Sequence, residues 1–484
     1  MSKHMPGIPL WSYMIYLKID DFEFYDDAVV LVKSFFPDTE VTTEYGEASK
    51  HGDVIEITAV SPRRDGRDKR ALHEAFKTEF YKMLSELTGR SLPWGKLTGV
   101  RPGKIAVGMI ESGISDREIL ESFRKQHFVS PQKAELALKV AHKEINILKN
   151  IDYRNGYSLY IGIPFCPTTC LYCSFTSYSL EAWKDSVEDY LDALFKEIDY
   201  VADKLSGKAP DTVYIGGGTP TTLGSGQLDR LLGRIRQSFG ITDACEFTVE
   251  AGRPDSITRD KLETLKAHGV GRISINPQTM NQETLDIIGR RHTTEQVVEA
   301  FTMARECGFD NINADLIMGL PGEDEEKINH TLDEIKKLAP QSLTVHSLAI
   351  KRAAALNIWR DKYRAYAINN TDKIIDSAAK CAASLGMEPY YMYRQKNMAG
   401  NFENVGYSVS GMECIYNILI MEEKQSIVAL GAGASTKIVI PKEDSVRIER
   451  IENVKSLKDY IERIDEMIQR KSGSLFNSFA ESLK

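Results

Sequence analysis

The hydrophobic pattern divides the chain into two textures. Up to about residue 150, apolar residues alternate with polar ones over 13–19 and 53–60, which predicts two strands. Between them, residues 26–36 carry apolar side chains at helical spacing. A long amphipathic helix is predicted over 69–87, with Gly89 as its C-cap. Two more follow over 116–125 and 131–149, the second opening with Ser130 as N-cap and Pro131 at the first helical position. These elements predict a small α+β domain over residues 1–150, with 151–157 as a linker.

From residue 158 the rhythm becomes strand, loop, helix. Apolar strands are predicted at 159–163, 212–215, 246–249, 272–275, 312–317 and 342–345. Helical stretches at 186–202, 225–238, 259–267, 294–307 and 325–338 separate them. Such alternation implies right-handed βαβ units and a parallel sheet. Six units predict an α/β fold, a partial (β/α)6 barrel over residues 158–355, with chemistry at the C-terminal ends of its strands. Beyond 355 an irregular extension is expected: helical over 374–385, loop-rich and apolar over 390–434, then a helical tail. This region, 356–484, is expected to cover the substrate.

Composition narrows the function. A net charge of −8 argues against a general nucleic-acid binder. No apolar run is long enough to span a bilayer and no secretory signal opens the chain, so a cytoplasmic location with reduced thiols is expected. The seven cysteines are then no disulfide framework, and three of them fall within eight residues.

That cluster reads Cys166-Pro-Thr-Thr-Cys170-Leu-Tyr-Cys173 and follows the first barrel strand. Three thiolates on one loop suit three irons of a [4Fe–4S] cluster. The fourth iron is left open for a chelating cofactor such as S-adenosylmethionine, bound through its amino and carboxylate groups. A structural zinc site is the competing reading, but it needs a fourth ligand, and C-x2-C pairs usually come twice in such sites. Cys245, Cys307, Cys381 and Cys414 stand alone and read as buried small residues.

Other candidates fall at the following strand ends. Gly216-Gly217-Gly218-Thr219-Pro220 lets backbone approach a ligand closely and is a candidate grip on the methionine amino group; a tight turn is its plain alternative. Glu250 and Asp315 lie in apolar strands, where a carboxylate needs a partner; ribose hydroxyls would serve, as would a structural ion pair. Arg290 has the fork to pair with a carboxylate. Gly431-Ala432-Gly433-Ala434 lacks the strand–helix setting of a nucleotide loop and reads as close backbone packing.

Taken together, Tyr160-Ile-Gly-Ile-Pro-Phe-Cys166, Cys170, Cys173, the glycine run, Glu250, Asn276-Pro-Gln278, Arg290 and Asn313-Ala-Asp315-Leu-Ile-Met-Gly-Leu-Pro321 resemble the radical S-adenosylmethionine enzymes of the oxygen-independent coproporphyrinogen III oxidase group. The resemblance covers residues 158–350 well. The N-terminal unit and residues 391–402 look most like its HemZ branch. It implies that Tyr160, Gly217, Gly218, Thr219, Glu250, Gln278, Arg290 and Asp315 contact S-adenosylmethionine. It further implies a flavodoxin- or ferredoxin-like electron donor, a second S-adenosylmethionine per turnover, and conversion of two propionates to vinyls with loss of CO2.

The sequence departs from that pattern in one place. The well-known decarboxylating members carry a fourth cysteine two positions after the third, where this chain has Phe175. Cys-x-Phe also occurs in the haem-chaperone branch. That branch's His-Asn-x-x-Tyr-Trp stretch is not found at 412–417, which contains no His. Three readings stay open: decarboxylase, haem carrier, and an enzyme that opens the haem ring by methyl transfer.

A four-carboxylate, flat apolar substrate calls for aromatic surface with a few cationic clamps. Lys351, Arg352, Arg394 and Lys396, with Tyr390, Tyr391 and Tyr393, offer that mixture. A solvated basic surface is the ordinary alternative. His292 and His346 lie near the rim, where a porphyrin iron or plain polar contacts could engage them.

Overall fold

The computed structural model describes residues 14–483, apart from 38, 45–53, 100, 206, 243–244, 350–353, 359–365, 367, 396–397, 399–400 and 442–445. It contains two compact units, one formed by Met1–Lys139 with Tyr393–Glu403 and the other by Val140–Met392 with Asn404–Lys484.

In the first unit, β1 (Met14–Ile19) lies between β2 (Glu40–Thr42) and β3 (Val54–Ala59), all parallel. A parallel neighbour needs a crossover, and α1 (Tyr25–Phe35) supplies it between β1 and β2. Ile15, Leu17 and Ile57 of the sheet pack with Leu31 and Phe35 of α1 and with Phe76, Phe80 and Leu84 of α2 (Lys69–Thr88). Asp68 caps α2 by accepting from Ala71 N–H at 2.8 Å, and Gly89 ends it at φ 64°, the left-handed C-cap expected from sequence. The short β2 and α3 (Gly103–Glu111) are additions that the hydrophobic pattern does not announce. α4 (Asp116–His127) carries a Ser115–Glu118 capping box.

The described residues of 393–403 join this unit, with Arg394, Phe402 and Glu403 buried. Glu403 accepts from Trp94 Nε1 and Lys133 Nζ at 2.7 and 2.6 Å. No periodicity marks such a long-range pairing.

The second unit is built on one sheet of eleven strands. Its centre is β4 (Tyr157–Ile163), β5 (Thr212–Gly217), β6 (Glu246–Gly252), β7 (Arg272–Gln278), β8 (Ile312–Met318) and β9 (Ser342–Ser347). These six are parallel, each beside its predecessor, as strand–helix alternation predicts. The connecting helices include α5 (Val187–Lys204), α6 (Ser225–Phe239), α7 (Arg259–Ala267), α8 (Thr294–Glu306) and α9 (Glu325–Leu338).

The C-terminal region differs from the irregular extension expected. Besides α10 (Asp372–Ser384) and α11 (Ile415–Glu422), it contributes β10 (Glu388–Tyr393), β11 (Asn404–Ser408), β12 (Ser426–Leu430), β13 (Ser435–Pro441) and β14 (Val446–Glu452). They flank the barrel sheet on both sides, giving the order β10-β11-β9-β8-β7-β6-β5-β4-β12-β13-β14. β12 runs parallel to β4 and so adds a seventh parallel strand. The tail is helical as expected: α12 (Leu457–Glu462), α13 (Ile464–Arg470) and α14 (Ser474–Ser482). Among the described residues, no helix is long and apolar enough to cross a membrane.

Candidate cofactor site at the strand ends

The cysteine loop leaves the top of β4 and is tied down along its length. Cys173 N–H donates to Cys170 C=O at 3.1 Å, so these two cysteines share one turn. Leu171 N–H donates to Ile288 C=O at 2.9 Å, and the Thr168 hydroxyl to Gly289 C=O at 2.9 Å. Arg253 clasps the loop from the end of β6: it holds Asp255 bidentately at 3.0 and 2.7 Å and reaches Thr168 C=O at 3.2 Å. Arg253 carries no sequence motif and was not among the expected site residues. Burial pushes the Cys166 thiol up to about 11 and raises that of Cys173, so binding of a cation must drive their protons off. The four remaining cysteines stand elsewhere, Cys381 and Cys414 fully buried.

The glycine run crosses beneath this loop. Gly218 N–H donates to Ile163 C=O at 2.8 Å and Thr219 N–H to Phe165 C=O at 2.7 Å. A Cβ on Gly218 would lie 2.5 Å from the Phe165 carbonyl oxygen, so only glycine permits the approach. A Cβ on Gly216 would meet the Glu250 carboxyl at 2.8 Å, and one on Gly217, at φ 106°, the Tyr160 hydroxyl at 3.1 Å. The Thr219 hydroxyl faces Cys166 Sγ at 3.7 Å.

Two irregularities in strand register aim side chains at this rim. Pairing of β6 with β7 shifts between Val249 and Gly252, and that of β8 with β7 between Ala314 and Leu316, opposite Gln278. Such bulges bend a strand and redirect its side chains. Glu250 therefore leans over β5, where Tyr214 O–H donates to its Oε1 at 2.6 Å. Burial pushes the Glu250 carboxyl up to about 7; the Tyr214 hydroxyl pulls the other way and the Asp315 charge adds to the rise. Gln278 sits at φ 68° with its buried Oε1 lacking a hydrogen-bond partner. An unpaired buried acceptor in a strained backbone is the mark of a site made for a ligand.

Inward-facing polar residues of β7, β8 and β9 form a ladder below. Asn313 Nδ2 donates to Ser274 Oγ at 2.9 Å and to Asp315 Oδ1 at 2.7 Å, and the Thr344 hydroxyl donates to Asn313 Oδ1 at 3.1 Å. Burial alone would raise the Asp315 carboxyl; His346, Asn313 and Thr344 together hold it below the ordinary range. Arg290 donates to Asn276 C=O at 2.6 Å and to the Tyr172 hydroxyl at 3.3 Å, and its guanidinium also faces Cys170.

Residues 160–335 match the model of the radical SAM superfamily. The chain is 39% identical over 430 residues, 87% of its own length and 85% of the relative's, to "Oxygen-independent coproporphyrinogen-III oxidase-like protein HemZ" of Bacillus subtilis. The chain belongs to the HemZ family. Heme chaperone HemW of Bacillus subtilis is 38% identical over 195 residues, covering 40% of this chain and 51% of that one. Oxygen-independent coproporphyrinogen III oxidase of Escherichia coli is 34% identical over 192 residues, 40% of this chain and 42% of that one. The solved structure of coproporphyrinogen III oxidase from Escherichia coli shares the fold, with a TM-score of 0.53 at 24% identity over 66% of this chain and 72% of that one.

As a radical SAM member of the HemZ family, the chain takes a [4Fe–4S] cluster and S-adenosylmethionine as cofactors. The residues present fit them: three thiols on one pinned loop, a glycine cradle with no room for side chains, and an orphaned acceptor at Gln278.

The residues expected to bind substrate fare differently. Lys351, Arg352 and Lys396 lie outside the described residues. Tyr393 and Arg394 belong to the first unit. Arg394 is 4% exposed and spends its guanidinium on Leu97 C=O, on Asn401 C=O at 3.2 Å and on Asn401 Oδ1 at 2.5 Å. A clamp for a propionate needs a reachable fork, and this one is enclosed in the unit's own packing. His292 is fully buried and stays neutral, its basicity pulled down to about 3 by burial and by Arg290 nearby, so it offers no reach to a porphyrin iron. His346 faces Asp315 at 3.9 Å.

Proposed function

We propose that this chain carries out oxidative decarboxylation of coproporphyrinogen III, turning two propionates into vinyls. The observation that carries the reading is the extent of the match: likeness to the oxidase-like HemZ runs over 87% of the chain, whereas Bacillus subtilis HemW matches 40%. A local feature supports it. Within 412–417, where the chaperone branch is expected to offer a histidine, this chain turns Tyr416 inward to stack on Tyr214 at 4.5 Å.

Cys166, Cys170 and Cys173 would hold the cluster, leaving one iron for S-adenosylmethionine. When bound there, the pair would supply the radical chemistry that removes a hydrogen atom from a propionate β-carbon. Loss of the carboxylate as CO2 would also require a one-electron acceptor. The chain's own residues bind and orient. Gly217, Gly218 and Thr219 present backbone to the methionine amino group. Arg290 offers a cation beside Cys170. Tyr160 and Gln278 would flank the cofactor, and Glu250 and Asp315 would accept from ribose hydroxyls. A flavodoxin- or ferredoxin-like donor would reduce the cluster, a second S-adenosylmethionine would serve the second propionate, and the reaction would run in the cytoplasm.

A second reading, haem binding on the same barrel, rests on the likeness to HemW and on Phe175, 70% exposed, two residues after Cys173. Comparing anaerobic 5′-deoxyadenosine release with coproporphyrinogen III and with haem separates the two. Release stimulated by the porphyrinogen supports decarboxylation. Stoichiometric haem retention without porphyrinogen-stimulated release contradicts it.

A further inference from the structure

The cysteine loop has a second mooring, and it leads to the C-terminal tail. Glu197 of α5 is fully buried and accepts four hydrogen bonds, each from a different stretch of the C-terminal region. Lys471 Nζ and Asn453 Nδ2 reach Oε1 at 2.7 Å each; Gly431 N–H and the Tyr460 hydroxyl reach Oε2 at 2.9 and 2.6 Å. Lys471 is also fully enclosed and donates again to Asn453 Oδ1 at 2.9 Å. A buried ion pair adds little net stability over apolar packing, but it tolerates only one register, because a misplaced strand would strand a charge. The hub thus fixes where residues 431–434 and 453–457 run: Asn453 N–H donates to Ala434 C=O at 2.9 Å, and Gly433 N–H to Val454 C=O at 2.8 Å.

Those residues hold the outgoing arm of the cysteine loop. The Tyr178 hydroxyl donates to Lys455 C=O and accepts from Leu457 N–H, both at 3.0 Å. A Cβ on Gly433 would lie 3.3 Å from the Thr176 hydroxyl, so the two backbones run close together. Tyr178 N–H donates to Pro164 C=O at 2.8 Å, and Tyr178 and Ser179 pair with Phe165 and Cys166 as a two-residue ladder. The path from Glu197 to Cys166 runs through hydrogen bonds and strand pairing.

We propose that Tyr178 is a positioning residue for the cluster, held by the Glu197–Lys471 hub, and that the C-terminal tail is therefore part of the cluster site. This rests on the reading of Cys166, Cys170 and Cys173 as cluster ligands. Glu197, Lys471 and Tyr178 touch neither cofactor nor substrate. They act by fixing the outgoing arm of the loop against Cys166 before the metal arrives.

The test is Tyr178→Phe in the full chain. The variant keeps the ring, which packs edge-on against Trp183 at 5.2 Å, and loses only the two hydroxyl bonds. The anaerobically reconstituted protein is challenged with a chelator, and iron release is followed alongside the electron paramagnetic resonance spectrum of the reduced cluster. Loss of about 1 kcal/mol of positioning predicts release about fivefold faster, with a broadened spectrum. Release and spectrum identical to wild type would overturn the proposal. Glu197→Gln, which leaves Lys471 uncompensated, should show the same release if it folds; if it does not fold, Tyr178→Phe decides. A wild-type chain that takes up no cluster would instead overturn the cysteine assignment on which this rests.

Discussion

Tyr214 and Glu250 meet at 2.6 Å, the tyrosine hydroxyl donating to a carboxylate that a strand bulge has swung over the neighbouring strand. The bond stabilises the ionised form of Glu250 against a burial that drives the group toward neutrality. Tyr214→Phe should therefore move the apparent pKa of Glu250 above its value of about 7. Titration of S-adenosylmethionine binding against pH reads this directly, with the midpoint rising in the variant. An unmoved midpoint would separate Glu250 from cofactor binding.

The same carboxyl makes stability depend on pH. Its folded value, about 7, lies above the ordinary 4.5, so between these values the unfolded chain gives up a proton that the folded chain retains. Stability is complete below pH 4.5 and declines as pH rises through about 7, by on the order of 3 kcal/mol from this group. Glu250→Gln should flatten that decline in melting curves taken across the window.

Gly218 faces two carbonyl oxygens where a Cβ would stand, at 2.5 and 2.8 Å. Both belong to backbone and cannot rotate away. Gly218→Ala should cost about 1–3 kcal/mol in denaturant melts and lower the iron bound per chain. Equal stability and iron content would mean that the crossing of the glycine run under the cysteine loop is looser than described.

Arg394 belongs to the packing of the first unit. Removing its fork leaves the carbonyls of Leu97 and Asn401 without a donor. Arg394→Ala should destabilise that unit by about 1–3 kcal/mol, read as faster proteolysis within residues 14–139, with KM for a porphyrinogen unchanged. A raised KM with undiminished stability would return Arg394 to the substrate site.

Much of this was legible in the sequence. α7 and α9 begin and end where apolar spacing and flanking residues put them, at Arg259–Ala267 and Glu325–Leu338. The six barrel strands were found because buried parallel strands are continuously apolar. The C-terminal strands were missed for physical reasons. β14 is the sheet's edge strand and carries Arg447, Glu449, Arg450 and Glu452, a charged pattern that does not read as a strand. β11 and β12 fall within 390–434, which lacks the long strand–helix alternation that marks the barrel. At the site, the cysteines and glycines announce themselves through spacing. Arg253, Tyr214 and Tyr178 do not, because their roles arise from contacts across 85, 36 and 277 residues of chain. The reading of Gly431–Ala434 as close packing agrees with the structure: a Cβ on Gly431 would lie 2.6 Å from the Gly162 carbonyl oxygen.

Cys170 is the middle cysteine of the loop. Cys170→Ala should abolish both cluster uptake and S-adenosylmethionine cleavage. Iron analysis after reconstitution checks the first and 5′-deoxyadenosine release the second.

The most direct measurement is anaerobic turnover of the reconstituted protein with a reductant, S-adenosylmethionine and coproporphyrinogen III, with products read by mass spectrometry. The account predicts 5′-deoxyadenosine together with two successive losses of CO2 from the tetrapyrrole. Formation of 5′-deoxyadenosine with the porphyrinogen left intact would contradict the decarboxylase reading.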